Sequence, residues 1–136
     1  MSAYTTLKTK MVSAAHLVKA LRDVGFTEVE VHETPQPLVG WLGFGREQKA
    51  EIIVRKKHVG AASNDIGFTR DENGHFVALI SEFDSVRYNR TWLQSLVQGY
   101  AFHVVKDQLA AQDFSVVDES VDEDRNIRIQ VRRMAS

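Results

Sequence analysis

Hydrophobic and polar positions between residues 90 and 114 follow the spacing of an α-helix, over a longer stretch than anywhere else in the chain. The main apolar face of this predicted helix consists of Leu93, Leu96, Val97, Tyr100, Val104 and Ala111, with Trp92 at its edge. A second apolar face, on roughly the opposite side, holds Phe102, Val105 and Leu109. A sheet is expected to cover the main face, and a loop, a second helix or a partner subunit the second one. We favour a homodimer contact there, because the chain offers little else to cover that side.

The first part of the chain predicts a strand, a helix and a second strand. Residues 4–10 alternate in the manner of a strand. Ser13 is a suitable N-cap for a one-sided helical pattern that stops at Gly25, and residues 26–32 then alternate again. A helix that connects two strands in this order is typical of a crossover, so these two strands are expected to be parallel.

The middle and the end of the chain predict five further strands. Residues 49–57 contain a continuous Ile-Ile-Val centre, which is typical of an inner strand. Residues 65–70 and 75–80 flank a turn with an Asn-Gly pair, which favours a hairpin. Residues 114–118 and 126–132 lie on either side of an acidic turn and are also expected to be strands.

Together these elements predict a single α+β domain over residues 1–136. We expect a mostly antiparallel sheet with two helices packed on one face, ferredoxin-like with additional strands. Asn89 is a suitable N-cap for the long helix. The length of 136 residues is enough for one domain with its own core. Such folds serve many unrelated functions, so the architecture by itself assigns none.

Residues 34–48 interrupt the pattern with both prolines of the chain and three glycines, interleaved with Trp41 and Phe44. Glycine-rich backbone can cradle a phosphate, but no strand directly precedes these glycines and no helix with a Lys-Ser or Lys-Thr start follows them. The structural interpretation is a hairpin or flap whose aromatic side chains pack on the core. The functional interpretation is a mobile flap over a site, or a contact with a partner.

Three polar residues of the long helix, Tyr100, His103 and Asp107, are the candidates for a catalytic or ligand-binding site. Their spacing of three and four residues predicts that they project toward the main apolar face. A carboxylate one turn from an imidazole can fix its tautomer and raise its pKa, as general acid–base chemistry requires. Asp65 or His75 are candidate neighbours in such a site. The favoured alternative is a buried hydrogen-bond cluster that anchors the helix to the sheet.

The amino-acid composition excludes several classes of functional site. The chain has no cysteine, which excludes disulfides, thiolate metal sites and cysteine nucleophiles. His103 and Asp107, without a third candidate ligand in the sequence, are weak evidence for a metal site. We therefore expect no metal and no cofactor. The amino terminus is too polar for a signal peptide, and no apolar run approaches the roughly 18 residues that span a bilayer. We therefore expect a soluble, cytoplasmic protein that does not engage a membrane.

The charge pattern gives little support for nucleic-acid binding. The formal net charge is −1, so there is no general attraction to polyanions. A local basic face would have to combine Arg128, Arg132 and Arg133 with the cations of residues 55–57. The acidic turn beside the last strand opposes that arrangement, and arginines on an edge strand also serve to block aggregation. We do not expect a nucleic-acid partner.

A set of motifs in fixed order carries a family resemblance. The segments are YTTLKTK, QKAEIIVRKK, DIGF, QGYAFHVVKDQLAAQDF and IRIQVRR. The chain resembles the hypothetical chloroplast open reading frame 35 family, also called domain of unknown function 1257, over nearly its whole length. Residues 37–45 and 59–63 depart from the family pattern. The resemblance implies a small soluble protein with no established activity that works beside an AAA-type ATPase.

We therefore expect a non-enzymatic protein-interaction or adaptor module that self-associates and binds a protein partner. The predicted interaction surface consists of Trp41, Phe44, Phe102, Val105 and Leu109. The alternative is a small-molecule binder or enzyme that uses the Tyr-His-Asp cluster of the long helix.

Overall fold

The computed structural model describes residues 3–134, which form a five-stranded sheet, a separate two-stranded sheet and three helices. In chain order the elements are β1 (Tyr4–Lys8), α1 (Ala14–Asp23), β2 (Glu30–Val39), β3 (Gly45–Val54), α2 (Lys56–Val59), β4 (Ile66–Arg70), β5 (Phe76–Ser81), a single 3-10 turn (Asp84–Val86), α3 (Arg90–Ala111), β6 (Phe114–Val121) and β7 (Ile127–Arg133). This arrangement confirms the α+β class and the mostly antiparallel sheet.

The main sheet has the strand order β1-β5-β4-β3-β2, and every neighbouring pair is antiparallel. Four antiparallel steps give β1 and β2 the same direction, as the crossover predicts, but the two strands lie at opposite edges and do not pair. Strands β6 and β7 pair only with each other and form a separate ribbon. The ferredoxin-like part of the prediction is not confirmed, because these last strands do not return to the main sheet.

Both long helices pack on the same face of the main sheet, as predicted. One continuous core cluster joins buried side chains of both helices to buried side chains of the inner strands. Its fully or almost fully buried members include Leu17, Leu21, Leu93, Leu96, Ile52, Ile66, Phe68, Phe76 and Ile80. Burial of each such side chain stabilises the fold by about 1.5–3 kcal/mol relative to exposure. This cluster fixes α1 and α3 side by side over the sheet.

The opposite face of the sheet holds a smaller core of Leu38, Ala50, Ile53 and Leu79. Gly67 of β4 lies under this cluster. A Cβ at position 67 would come within 2.7 Å of the Ala50 Cβ and 2.9 Å of a Leu38 methyl carbon. Glycine is therefore required here for the close approach of the β2 end to β4, rather than for its backbone angles.

The predicted helix ends are confirmed by their capping contacts. The Ser13 hydroxyl accepts a hydrogen bond from the His16 N–H at 3.3 Å, and the Asn89 side chain accepts one from the Trp92 N–H at 3.0 Å. Gly25 follows α1 with φ of 108°. Helix α3 ends before the predicted boundary, because Asp113 adopts the left-handed region with φ of 62° and turns the chain into β6.

The interruption predicted for residues 34–48 is the hairpin of β2 and β3, with its turn at residues 40–44. The strand predicted to end at residue 32 continues instead through both prolines. Strand β2 is an edge strand, where a missing proline N–H is tolerated, and its pairing with β3 is irregular at this point. At the other end of β3, Lys56–Val59 leaves the predicted strand and forms the short helix α2.

Candidate functional site

Tyr100 is buried and serves as an anchor between the two helices. Its side chain is in the main core, and its residual exposure is 8%. The phenolic oxygen accepts hydrogen bonds from the backbone N–H groups of Val12 and Ser13, both at 2.9 Å. These contacts satisfy donors at the start of α1, so the hydroxyl has a structural partner in the fold.

His103 and Asp107 each pair with a residue of α1 instead of with each other. The His103 Nε2 lies 2.6 Å from a carboxylate oxygen of Asp23, and the His16 Nε2 lies 2.6 Å from a carboxylate oxygen of Asp107. The other ring nitrogen of His16 lies 2.7 Å from the Ser13 hydroxyl. The hydrogen bond from His16 holds the pKa of the Asp107 carboxyl below its usual range. The predicted cluster is thus divided into separate helix–helix contacts.

A cleft of about 640 Å³ lies between α1, α3 and the β6–β7 ribbon, and His103 forms part of its wall. The side chain of His103 is 17% exposed. Asp23 and Glu119 are the acidic residues of the lining, and the apolar part comes from Ala20, Val24, Gly99, Phe102, Val121 and Ile127. Tyr100 and Asp107 do not line this cleft. If His103 binds a small molecule, this cleft is the cavity that would hold the ligand.

Asp65, a candidate neighbour of that cluster, belongs to a different part of the molecule. Its carboxylate is completely buried and accepts hydrogen bonds from the backbone N–H groups of Val39 and Lys56 at 2.7 Å and from Arg55 at 2.8 Å. The other candidate, His75, lies in the turn between β4 and β5, where its N–H donates to the Asp71 carboxylate. The contacts of Asp65 therefore join β2, β4 and the start of α2.

The Arg55 side chain connects Asp65 to a second carboxylate, that of Glu30. Two of its nitrogens donate to the two carboxylate oxygens of Glu30 at 2.7 and 2.8 Å, and the His32 ring lies 2.8 Å from Glu30. The hydrogen bond from Arg55 lowers the pKa of Glu30 to about 2, and the pKa of Arg55 is raised in turn. These pairs fix the base of the β2–β3 hairpin against β4.

Tyr4 of β1 reaches the same region from the other edge of the sheet. Its hydroxyl donates to the Asp65 carbonyl oxygen at 2.6 Å. Burial of the ring, with the negative charge of Asp65 as the second cause, raises the pKa of Tyr4 well above its usual range. The phenol is therefore a neutral hydrogen-bond donor at any ordinary pH.

A second buried polar group ties three loops together at this end of the sheet. The Asn64 N–H donates to the Asp84 carboxylate at 2.9 Å, and the Asn64 side chain donates to the Ser81 hydroxyl at 2.9 Å. The Asn64 side-chain oxygen accepts the Trp41 N–H at 3.1 Å. Asn64, Ser81 and Asp84 are all almost inaccessible to solvent. Their bonds hold the β2–β3 turn, the loop before β4 and the segment after β5 in fixed positions.

Two of these three loops carry a set of exposed large apolar side chains, which we call the apical surface. It consists of Trp41, Leu42 and Phe44 on the β2–β3 turn and of Phe83 and Val86 after β5. Their exposed fractions are 50%, 51%, 66%, 55% and 83%. The expectation that the aromatic side chains of the turn pack on the core is wrong: Trp41 and Phe44 point into solvent. Apolar side chains grouped on fixed loops are typical of an interaction site.

A groove of about 610 Å³ borders the apical surface along the end of β2. It is lined by Gln36, Pro37, Val39, Arg55, Lys56, Lys57 and Asp65. The Lys56 ammonium donates to the Trp41 carbonyl oxygen at 3.4 Å, so the groove and the β2–β3 turn are directly adjacent.

The second apolar face of α3 is partly covered by the chain itself. Phe102 and Leu109 are half-buried, and Val105 is 38% exposed. Phe102 shares a surface depression with Val116 and Val117 of β6, because the β6–β7 ribbon packs along α3. The statement that the chain offers little else for this face is therefore wrong. A homodimer contact there stays a prediction.

Three of the candidate cations for nucleic-acid binding have partners within the chain. Arg55 pairs with Glu30 and Asp65. The Arg133 guanidinium lies over the Phe114 ring at 5.2 Å, and an Arg128 nitrogen lies 3.9 Å from the Asp122 carboxylate. These contacts add no support for a basic binding face.

Sequence reasoning missed Leu42, Phe83 and Val86, together with the buried residues that position them. The segment after β5 has no apolar period, so it indicates only a polar approach to α3. The signal available in the sequence was the presence of Phe83 and Val86 within that polar segment, but single apolar residues in a loop are common on protein surfaces and are informative only when the fold groups them.

Within residues 3–134, no group of three or more His, Asp or Glu side chains is arranged to hold a metal ion. None of the helices in this range is long and apolar enough to cross a membrane.

Comparisons with known proteins identify the family. The family model described as "Protein of unknown function (DUF1257)" matches residues 20–130. The "Uncharacterized protein ycf35" of Cyanophora paradoxa is 28% identical over 134 residues, which cover 98% of this chain and 98% of that protein. No solved structure shows a significant match. The match over most of the chain agrees with the motifs in its sequence, and the chain belongs to the DUF1257 family.

Proposed function

We propose that this protein is a non-enzymatic interaction module that binds a protein partner through the apical surface. The observation that carries the proposal is that large apolar side chains are exposed on loops whose backbone is held by buried hydrogen bonds. Trp41 and Phe44 are at least half exposed, while the backbone of Trp41 is held by the buried Asn64. Large aromatic side chains have few rotatable bonds, so on a backbone that is already held they lose little entropy on association and make effective anchors.

The division of the Tyr-His-Asp cluster supports a binding role over an enzymatic one. Tyr100 is used to hold α1, and Asp107 is paired with His16 at the surface. Neither residue faces the cleft that His103 lines. A general acid–base site needs its groups within reach of one substrate position, and this arrangement does not bring the three together.

The module is proposed to act in the cytoplasm or an equivalent reducing compartment. The family resemblance implies an AAA-type ATPase as the first partner to test. Self-association through Phe102, Val105 and Leu109 is a second part of the proposal, supported by the exposure of Val105 between two half-buried neighbours.

The proposal is tested by comparing the proteins retained by the immobilised wild-type chain and by a Trp41→Ser/Phe44→Ser variant. Both substitutions lie on the exposed turn, so the variant should keep the circular dichroism spectrum and unfolding midpoint of the wild type. We expect at least one protein to be retained by the wild type alone and to bind again when purified. Equal retention of all proteins by the two chains would contradict the proposal.

Small-molecule binding in the His103 cleft is the alternative function, and the cavity of about 640 Å³ favours it. That volume falls in the range of ordinary ligand pockets. A fragment screen by NMR tests it, with His103→Gln as the variant and His32→Gln as a matched surface control. A fragment that shifts signals around His103 and is lost only in His103→Gln would support this alternative.

A further inference from the structure

Two cations stand directly beside the apolar turn of the apical surface. Lys56 and Lys57 are consecutive residues of α2, and both line the groove along β2. The contact between the Lys56 ammonium and the Trp41 carbonyl oxygen places one of these charges next to the backbone of the β2–β3 turn. The binding surface therefore combines apolar anchors with a positive charge at one side.

Neither carboxylate near the groove forms an ion pair with one of these two lysines. Glu30 is bonded to Arg55 and His32, and the buried Asp65 is bonded to Arg55 and two backbone N–H groups. The Arg55 guanidinium is thus paired with both carboxylates. Among the ion pairs of the described residues, none includes Lys56 or Lys57. Three cations (Arg55, Lys56 and Lys57) against two carboxylates (Glu30 and Asp65) leave a net charge of +1 at the groove, and both lysine ammonium groups lie outside the ion pairs of the described residues.

The rest of the groove has the size and chemistry of a peptide site. Pro37 and Val39 supply an apolar wall, and Gln36 supplies an amide that can donate and accept. The volume of about 610 Å³ accommodates a few side chains of an extended segment. Such a segment would lie along the end of β2, which is an edge strand of the main sheet.

Building on the proposed function, we propose that the partner supplies a peptide segment in which acidic residues adjoin one or two large apolar residues. The acidic side chains pair with Lys56 and Lys57, and the apolar side chains pack against Trp41 and the wall formed by Pro37 and Val39. Complementary charge of this kind selects the partner and speeds association, while the apolar anchors hold the complex.

An anionic bilayer is the competing occupant for a surface that combines aromatic and basic residues. The charge around the apical surface favours a peptide. Glu82 directly precedes Phe83 on the same surface, and the formal net charge of the chain is −1. A broad negative membrane would also meet the Glu82 carboxylate, whereas a short acidic segment needs only the groove.

The test is a selection of random peptides displayed on phage against the purified full-length chain. Three targets are compared: the wild type, a Lys56→Glu/Lys57→Glu variant and the Trp41→Ser/Phe44→Ser variant. The lysine side chains are not used to hold Asp65, which accepts the Lys56 backbone N–H, so the charge reversal should fold normally. Circular dichroism and unfolding midpoints verify this for each target.

We expect the wild type to enrich acidic peptides that contain large apolar residues. A synthetic copy of an enriched peptide should bind the Lys56→Glu/Lys57→Glu variant at least about tenfold more weakly, and added salt should weaken its binding to the wild type. Enrichment of uncharged apolar peptides, unaffected by the charge reversal, would overturn this inference and leave the proposed function standing.

Two further outcomes have separate meanings. If no enriched peptide depends on Trp41 and Phe44, both the inference and the proposed function fail. Vesicles of phosphatidylcholine and phosphatidylserine provide the membrane arm of the test. Sedimentation with these vesicles and a blue shift of tryptophan fluorescence that the Trp41→Ser/Phe44→Ser variant lacks, without any selected peptide, would assign the surface to a membrane and overturn the peptide proposal.

Discussion

The phenolic oxygen of Tyr100 accepts the backbone N–H of Ser13 at 2.9 Å, so a residue of α3 holds the residue that caps α1. Ser13 in turn caps the helix by accepting the His16 N–H. The contact joins residues that are 87 positions apart in the chain. The position of α1 over the sheet therefore depends on the middle of α3.

Two substitutions of Tyr100 distinguish how much its hydrogen bonds and the packing of its ring each contribute to stability. Tyr100→Phe leaves two backbone N–H groups without their acceptor and should lower the free energy of unfolding by about 1–3 kcal/mol. Tyr100→Ala also removes the buried ring and should cost about 3–5 kcal/mol. Urea unfolding measures both values. A Tyr100→Phe chain as stable as the wild type would show that the hydroxyl contact contributes nothing.

Glu30 makes the stability of the hairpin base dependent on pH. Its folded pKa of about 2 lies below its ordinary value of 4.5, so it stabilises the fold above about pH 4.5, and the contribution is lost as the pH falls toward about 2. The Glu30 side chain is 40% exposed, and solvent screening reduces the contribution to about 1 kcal/mol.

The Glu30→Gln variant tests this linkage. It should be less stable than the wild type at neutral pH, and the difference should shrink between about pH 4.5 and about pH 2. Urea unfolding at a series of pH values provides the measurement. A constant difference over the whole series would show that Glu30 isn't responsible for the acid sensitivity.

Gly67 and Gly45 offer a matched pair of glycine substitutions. A Cβ at Gly67 would meet Ala50 and Leu38, whereas nothing lies within 4 Å of a Cβ at Gly45. Gly67→Ala should therefore lower the free energy of unfolding by about 1–3 kcal/mol through overpacking. Gly45→Ala should leave it nearly unchanged. Equal effects at the two positions would contradict the close approach of β2 to β4.

Self-association can be measured by sedimentation velocity at two concentrations tenfold apart. We expect a dimer at both, and a monomer for Val105→Glu, because the new charge would lie in the proposed contact face. The equivalent change Val12→Glu, at another exposed valine, should leave the dimer intact. A wild-type chain that stays monomeric at high concentration would remove the α3 face from the proposal.

Periodic segments of the sequence predicted their structures well. The apolar spacing around Leu93 and Leu96, the caps Ser13 and Asn89, and the Asn-Gly turn before His75 all act locally, so each leaves a signal within a few residues. The partners of His103 could not be predicted in this way. Asp23 lies 80 positions away, and only the packing of the two helices brings it into contact.

The apical surface was predicted only in part for the same reason. Trp41 and Phe44 are conspicuous in a loop, but their exposure depends on the pairing of β2 with β3 through both prolines. Phe83 and Val86 join them because the buried Asn64 bonds to both Trp41 and Asp84. Loop residues brought together by buried polar side chains have no period in the sequence.

The most direct measurement of the central claim is site-specific photo-cross-linking in living cells. Benzoylphenylalanine is placed in turn at the positions of Trp41 and Phe44 and, as a comparison, at the positions of Val12 and Val31, which are also exposed. We predict a discrete adduct with another protein from position 41 or 44 and none from the comparison positions. Adducts absent from positions 41 and 44, or equally strong at all four, would contradict the proposal that the apical surface binds a partner.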